Sequence, residues 1–177
     1  MSSITIFKLA LSRTAEFEGG FSDHANDRGG KTKYGITEAV WNNYWKKKNQ
    51  VPPSRIESIT RQQADEIYFS EFWTAPKINL IAEIAPEIAV HLFDASVNHG
   101  QTTAVRLLQK ACNFLGASLT VDGKIGAKTL AEVHRLAIKY DTALENSFRF
   151  QRAKYYEAIV SKDATQRVFL RGWMKRC

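Results

Sequence analysis

Apolar residues recur at helical spacing along most of the chain, and glycine and proline cut the pattern into helix-length segments. Ile4, Phe7, Leu11 and Ala15, with Leu9 and Ala10 beside the stripe, predict an amphipathic helix stopped by Gly19 and Gly20. The period then changes. Thr32, Tyr34 and Ile36 alternate with Lys31, Lys33 and Gly35, which predicts a short strand with a hydroxyl and an aromatic ring on one face. Thr37 is placed to cap a helix through about Lys48 that carries Val40, Trp41, Tyr44 and Trp45, and Val51-Pro52-Pro53-Ser54 breaks it. Thr60-Arg61-Gln62-Gln63 reads as a capping box opening a helix with Ala64, Ile67, Tyr68 and Phe72 on one side and Pro76 beyond its end. Pro86 suits the first turn of a buried helix through Ile88, Leu92, Phe93 and Val97, stopped by Asn98 and Gly100.

The remaining pattern is helical too. Ala104, Leu107, Leu108 and Ala111 mark a helix ending near Gly116, and Cys112 falls on its apolar side with Leu108 and Leu115. Gly116 to Gly126 interrupts the pattern and is the best internal boundary, too short for a flexible linker. Helices follow over Thr129 to Tyr140 and Asp141 to Val160, the second with Leu144, Phe148, Tyr155 and Ile159 on one face, and Val168, Leu170 and Trp173 suit a short terminal helix. The expected fold class is mainly α with one small β-hairpin.

Chemistry gathers in one short stretch. Glu18 ends the first helix, where the macrodipole disfavours negative charge, and a stability-driven choice would be Lys or Arg. Dipole and partial burial would raise its pKa and keep a proton available, as a general acid requires, although a surface glutamate beside a C-cap glycine explains it as well. Asp27-Arg28-Gly29-Gly30 is a turn signal, and a hairpin there would fold Asp27 and Thr32 back over Glu18. Glycosidases need a proton for the leaving oxygen and a carboxylate that stabilises the oxocarbenium-like state or activates water. Glu18 and Asp27 suit these roles in that order, with Thr32 holding the water; an ordinary Asx turn and a strand threonine are the plain alternatives. Tyr34 is the leading ring for stacking on a pyranose, and Trp41, Trp45 and Trp73 read as core. Asp94 and Asn98, four apart on one helix face, either reach a substrate cleft or form an internal hydrogen-bonded pair.

Glu18-Gly19-Gly20-Phe21, Asn26-Asp27-Arg28-Gly29-Gly30 and Thr32-Lys33-Tyr34-Gly35-Ile36-Thr37 closely resemble the signature of the glycoside hydrolase family 108 muramidases, found among phage endolysins and bacterial secretion-associated lysozymes. Phe93 to Gly100 resembles a second block of these proteins, Val121 to Leu130 the motif of their C-terminal peptidoglycan-binding-type region, and Phe169-Leu170-Arg171-Gly172-Trp173 their closing block. Arg28 departs from the pattern, which often has proline there and so a stiffer turn. The resemblance implies a lysozyme-like helical fold with its hairpin beside the active site. It makes Glu18 the catalytic acid, carries Asp27 and Thr32 over from the trio of phage-type lysozymes, and implies cleavage of the β-1,4 bond between N-acetylmuramic acid and N-acetylglucosamine in peptidoglycan. It also implies a catalytic lobe over 1–100 and a helical peptidoglycan-binding-type lobe over 101–177, packed as one unit.

Composition narrows the partners. The formal charge of +7 is spread over Lys46-Lys47-Lys48, Lys31, Lys33 and the tail Arg167, Arg171, Lys175 and Arg176 instead of one recognition helix. That field suits an acidic wall polymer, and with no nucleic-acid-binding motif a nucleic-acid partner is not expected. No integral membrane segment, secretory signal, cofactor or metal site is expected; His24, His91, His99 and His134 are scattered, and Cys112 and Cys177 make no disulfide framework. A monomer made in the cytoplasm would reach the wall through a holin-type lesion or a secretion system. A lytic transglycosylase and a non-catalytic wall-binding or phage structural protein remain as alternatives.

Overall fold

The structure is a computed structural model that describes residues 1–15, 32–140 and 142–177. The described chain is helical apart from one hairpin. The helices are α1 (Ser3–Ala15), α2 (Glu38–Lys47), α3 (Arg61–Ile67), α4 (Ile78–Ile84), α5 (Pro86–His99), α6 (Gln101–Phe114), α7 (Ala127–Tyr140), α8 (Thr142–Lys162) and α9 (Arg167–Met174). Strands β1 (Thr32–Lys33) and β2 (Ile36–Thr37) pair antiparallel, with Thr32 opposite Thr37 and Lys33 opposite Ile36.

The central element is α5, against which α1, α4, α6 and α8 all pack. Its sequence explains the position. Ile88, Ala89, Val90, Leu92, Phe93, Ala95 and Ser96 are buried on every side, and a helix apolar all round has to be enclosed by others. Pro86 sits in its first turn, and Gly100 (φ 80°) reverses the chain directly into α6. Around Phe93 the rings of Phe7, Tyr68 and Trp73 meet at centroid distances of 5.7, 6.0 and 5.9 Å in edge or near-edge contacts. On α1 the buried residues are Ile6, Phe7, Ala10 and Thr14, whereas Ile4, expected in the stripe, is exposed. The core face is therefore turned about one position from the expected one.

The caps on α2 and α3 form as expected. The Thr37 hydroxyl accepts from the Val40 amide at 3.2 Å, and Thr60 and Gln63 exchange both bonds of a capping box. Beyond α3 the chain enters a π-helix, Tyr68–Thr74, and then α4, neither of which the apolar pattern revealed. The wider turn carries an extra residue, so Trp73, five after Tyr68, returns to the core, while Glu71 stays at the rim and pairs with Lys47. On α8 the buried face is Leu144, Phe148, Arg152, Tyr156 and Val160, displaced from the expected one because Tyr155 and Ile159 are only half-buried. Trp73 and Trp41 are fully buried, and Trp45 packs half-buried on the core. Val168, expected to pack α9, is exposed, and Cys177 is half-buried with its carbonyl bound by Arg149.

The 115–126 connection is built around Gln109, which is buried to 1% exposure. Its Oε1 accepts from the Gly123 amide at 2.9 Å, and its Nε2 donates to Asp122 Oδ1 at 2.8 Å and to the Lys124 carbonyl at 3.1 Å. Gly123 has φ +79°, and a Cβ there would meet Thr102 Cγ2 at 2.7 Å and its carbonyl oxygen at 2.8 Å. Gly116 (φ +88°) has open space instead. Gly123→Ala is expected to cost about 2–4 kcal/mol from strain plus overlap, against about 1 kcal/mol for Gly116→Ala from strain alone. Urea unfolding of both variants checks the difference; equal losses would mean that the loop lifts freely off α6.

Candidate active site

Of the sequence-derived candidates, Glu18 and Asp27 lie outside the described residues. Thr32 and Tyr34 are within them, but do not share a strand face. The expected single strand is split, because Tyr34 (φ 52°) and Gly35 (φ 75°) form the two-residue tip of the hairpin. A turn with positive φ at both central residues matches the twist of the strands it joins and usually recruits Asn-Gly. Tyrosine in the left-handed region costs about 1 kcal/mol or more, so its neighbours must hold it.

They do so from three sides. The Tyr68 hydroxyl, on the first residue of the π-helix, donates to the Tyr34 carbonyl at 3.1 Å. Lys33 donates through Nζ to the Glu57 carbonyl at 2.6 Å, tying β1 to the 3-10 turn Ile56–Ser58, and lies 5.6 Å from the Tyr34 ring centroid. The Arg61 guanidinium lies 5.5 Å from the same centroid. Neither Arg61 nor Tyr68 is marked for this place by the local pattern, since each reads as an ordinary residue of α3 and its extension. The hairpin is thus a strained, cation-flanked platform fixed to the buried end of the π-helix.

Asp94 and Asn98 belong to a different cluster. Asp94 Oδ2 accepts from Arg152 Nη2 at 2.5 Å, and Oδ1 accepts from Arg176 Nη1 at 2.9 Å. Asn98 Nδ2 donates to the Asp94 carbonyl at 2.7 Å and to Oδ1 at 3.3 Å. Arg152 is completely buried; it also donates to the Arg176 carbonyl at 3.0 Å and lies 3.4 Å from the Tyr156 hydroxyl. Burial works against the Arg152 charge, but Asp94 and Tyr156 outweigh it and hold its pKa above the ordinary value. The structure therefore brings Thr32 and Tyr34 together, and gives the Asp94 oxygens two guanidinium partners elsewhere. Arg152 had a sequence signal: it interrupts an apolar run at four-residue spacing on α8, as Asp94 interrupts one on α5.

His99 closes this cluster, between the rings of Tyr155 and Tyr156 at 5.1 and 4.8 Å. Its Nε2 is buried without a hydrogen-bond partner among the described residues. Among the described residues there is no group of three or more His, Cys, Asp and Glu that could hold a metal ion, and no helix long and apolar enough to cross a membrane.

The architecture is a lysozyme-like helical fold with one small antiparallel hairpin. Over residues 11–100 the chain matches glycosyl hydrolase 108, and it belongs to that family and is a glycoside hydrolase. Residues 103–177 match the family described as "Predicted Peptidoglycan domain". Among solved structures the chain is similar to that of Brucella abortus SagA, with 25% identity over 96% of this chain and 92% of the other and a TM-score of 0.71. No curated protein matches. The two family matches together support a peptidoglycan hydrolase.

The His99 environment has a consequence for acid stability. Burial, followed by the Arg152 charge, holds its pKa at about 4, below the ordinary 6.5, with Asp94 and the Asn98 backbone opposing and Arg176 adding to the effect. Between those values the unfolded chain binds a proton that the folded chain refuses. Folding stability is therefore expected to decline as pH falls from about 6.5 to about 4, by at most about 3 kcal/mol from this residue. Urea midpoints at pH 7.5 and 4.5 should converge in His99→Gln relative to wild type; an unchanged difference would assign the titration to another group.

Proposed function

We propose that this hydrolase is an N-acetylmuramidase that cleaves the β-1,4 bond on the reducing side of N-acetylmuramic acid. The observation that carries this reading is the glycosyl hydrolase 108 match over residues 11–100, a range that includes Glu18, Asp27, Thr32 and the hairpin. In the proposed mechanism Glu18 protonates the leaving glycosidic oxygen. Asp27 supports the positive charge that develops at the anomeric carbon or activates the incoming water, and Thr32 orients that water. Support for Thr32 comes from its setting: it opens β1 two residues after Gly30 of the Asp27-Arg28-Gly29-Gly30 segment, and its backbone is paired across the hairpin with Thr37.

Tyr34 is the residue we assign to the sugar ring. Its strained backbone is maintained by Tyr68, and strain that neighbours sustain is concentrated at functional sites. Asp94, whose carboxylate oxygens are held by Arg152 and Arg176, supports the site by fixing α5, and Asn98, exposed and engaged with Asp94 through Nδ2, is the one of the pair left to contact substrate. The two lobes, over 1–100 and 101–177, act as catalytic and wall-binding parts of one monomeric unit. The basic charge suits the acidic wall polymer, and the enzyme serves lysis or remodelling after release by a holin-type lesion or a secretion system.

Glu18→Gln is nearly isosteric and removes only the transferable proton. On purified peptidoglycan it is expected to lose at least about a hundredfold in rate while keeping its helical circular dichroism. A folded variant as active as wild type would mean that Glu18 is not the acid.

A further inference from the structure

A cleft of about 280 Å3 lies where the turn after the π-helix (Ala75, Pro76, Lys77), the first turns of α6 (Gln101, Thr102, Val105) and the loop Gly123, Lys124, Ile125 meet. Its walls come from both matched regions, 11–100 and 103–177. Pro76, Val105 and Ile125 give it an apolar side, Gln101 and Thr102 a polar one, and none of its lining residues is acidic. Lys77 and Lys124 are both exposed at its rim and form no salt bridge among the described residues, although the Lys124 charge helps to lower the pKa of nearby Asp122.

Both lysines are held from behind. Lys77 has φ 65°, a left-handed conformation that a lysine adopts at a cost, and its amide donates to the Thr74 carbonyl at 2.9 Å. The Lys124 backbone is fixed twice, its amide by Asp122 Oδ1 at 2.9 Å and its carbonyl by buried Gln109. Gly123 presses the loop onto α6. Gln101 Nε2 donates to the Glu71 carbonyl at 2.6 Å, which ties the start of α6 to the π-helix and keeps the walls together. The result is two cations on rigid backbone, one of them shared with Asp122 outside the lining, flanking a part-apolar cleft.

We infer that this cleft takes the stem peptide of peptidoglycan, a short peptide that combines free carboxylates with small apolar side chains. The inference rests on the wall-hydrolase reading above. In intact peptidoglycan the lactyl carboxyl of N-acetylmuramic acid is tied up as an amide, so the glycan there has no charge to match two cations and the peptide carboxylates do, while an alanine methyl group fits against Pro76, Val105 and Ile125. The lobe over 101–177 would then read the peptide while the hairpin side handles the sugar.

The test compares Lys77→Glu/Lys124→Glu with wild type and with Lys139→Glu/Lys154→Glu, which makes the same charge change away from the lining. Turnover is measured on intact peptidoglycan and on glycan stripped of its peptides by an amidase, which keeps one lactyl carboxylate per N-acetylmuramic acid but none of the peptide, and binding of the free stem tetrapeptide is measured by calorimetry. Wild type and the control are expected to prefer the intact polymer by about tenfold and to bind the tetrapeptide, and the cleft variant to lose both the preference and the binding. Equal turnover of the two polymers by wild type, or a cleft variant that keeps preference and binding, would overturn the inference. Failure to hydrolyse either polymer would instead sink the muramidase reading, and the calorimetric comparison would still decide the cleft.

Discussion

Asp94 lies buried on the helix that the other helices enclose, and an ionised carboxylate there needs partners. Desolvating a carboxylate costs several kcal/mol, which only well-placed cations and hydrogen bonds offset. Arg152 from α8 and Arg176 from just beyond α9 supply them, each on its own oxygen. The cluster binds α5 to the last two helices, so the regions matching the two families share one buried ionic contact. Compared with an apolar replacement the cluster gains little stability, but it fixes which faces meet. The Trp173 ring stacks on Tyr156 at 5.2 Å beside it, and that stack anchors α9, whose other apolar residues are largely exposed.

The hairpin depends on the same frame at one remove. Phe93, the residue before Asp94, packs against Tyr68, and the Tyr68 hydroxyl holds the strained Tyr34 carbonyl. A path of direct contacts therefore runs from the central helix to the tip of the hairpin that follows the Asp27 segment. The π-helix makes this possible. By spending one extra residue in its turn it keeps both Tyr68 and Trp73 buried while leaving Glu71 at the rim.

Much of this was legible in the sequence because helix signals are local. The Thr37 cap, the Thr60 capping box, Pro86 and Gly100 act through their own neighbours, and each ends or begins a helix where expected. What failed was whatever depends on distant partners or on a change of period. The π-helix hid α4 because its wider turn breaks the 3.6-residue repeat. Thr32, Tyr34 and Ile36 alternate as a strand does, yet Tyr34-Gly35 bends because Tyr68, thirty-four residues on, holds the turn. On α8 the spacing of Arg152 in an apolar run marked it, but its pairing with Asp94 was not legible, since that partner sits on α5. The candidate site was legible as a motif, and the contacts that support it were not.

The bond that is cut defines the enzyme. Peptidoglycan digested with the purified protein, reduced with borohydride and analysed by mass spectrometry shows which sugar ends each new fragment. Fragments that end in reducible N-acetylmuramic acid are expected. Anhydro-muramic ends would identify a lytic transglycosylase, reducible N-acetylglucosamine ends would place the cut at the other linkage, and a polymer bound without new ends would contradict a hydrolase altogether.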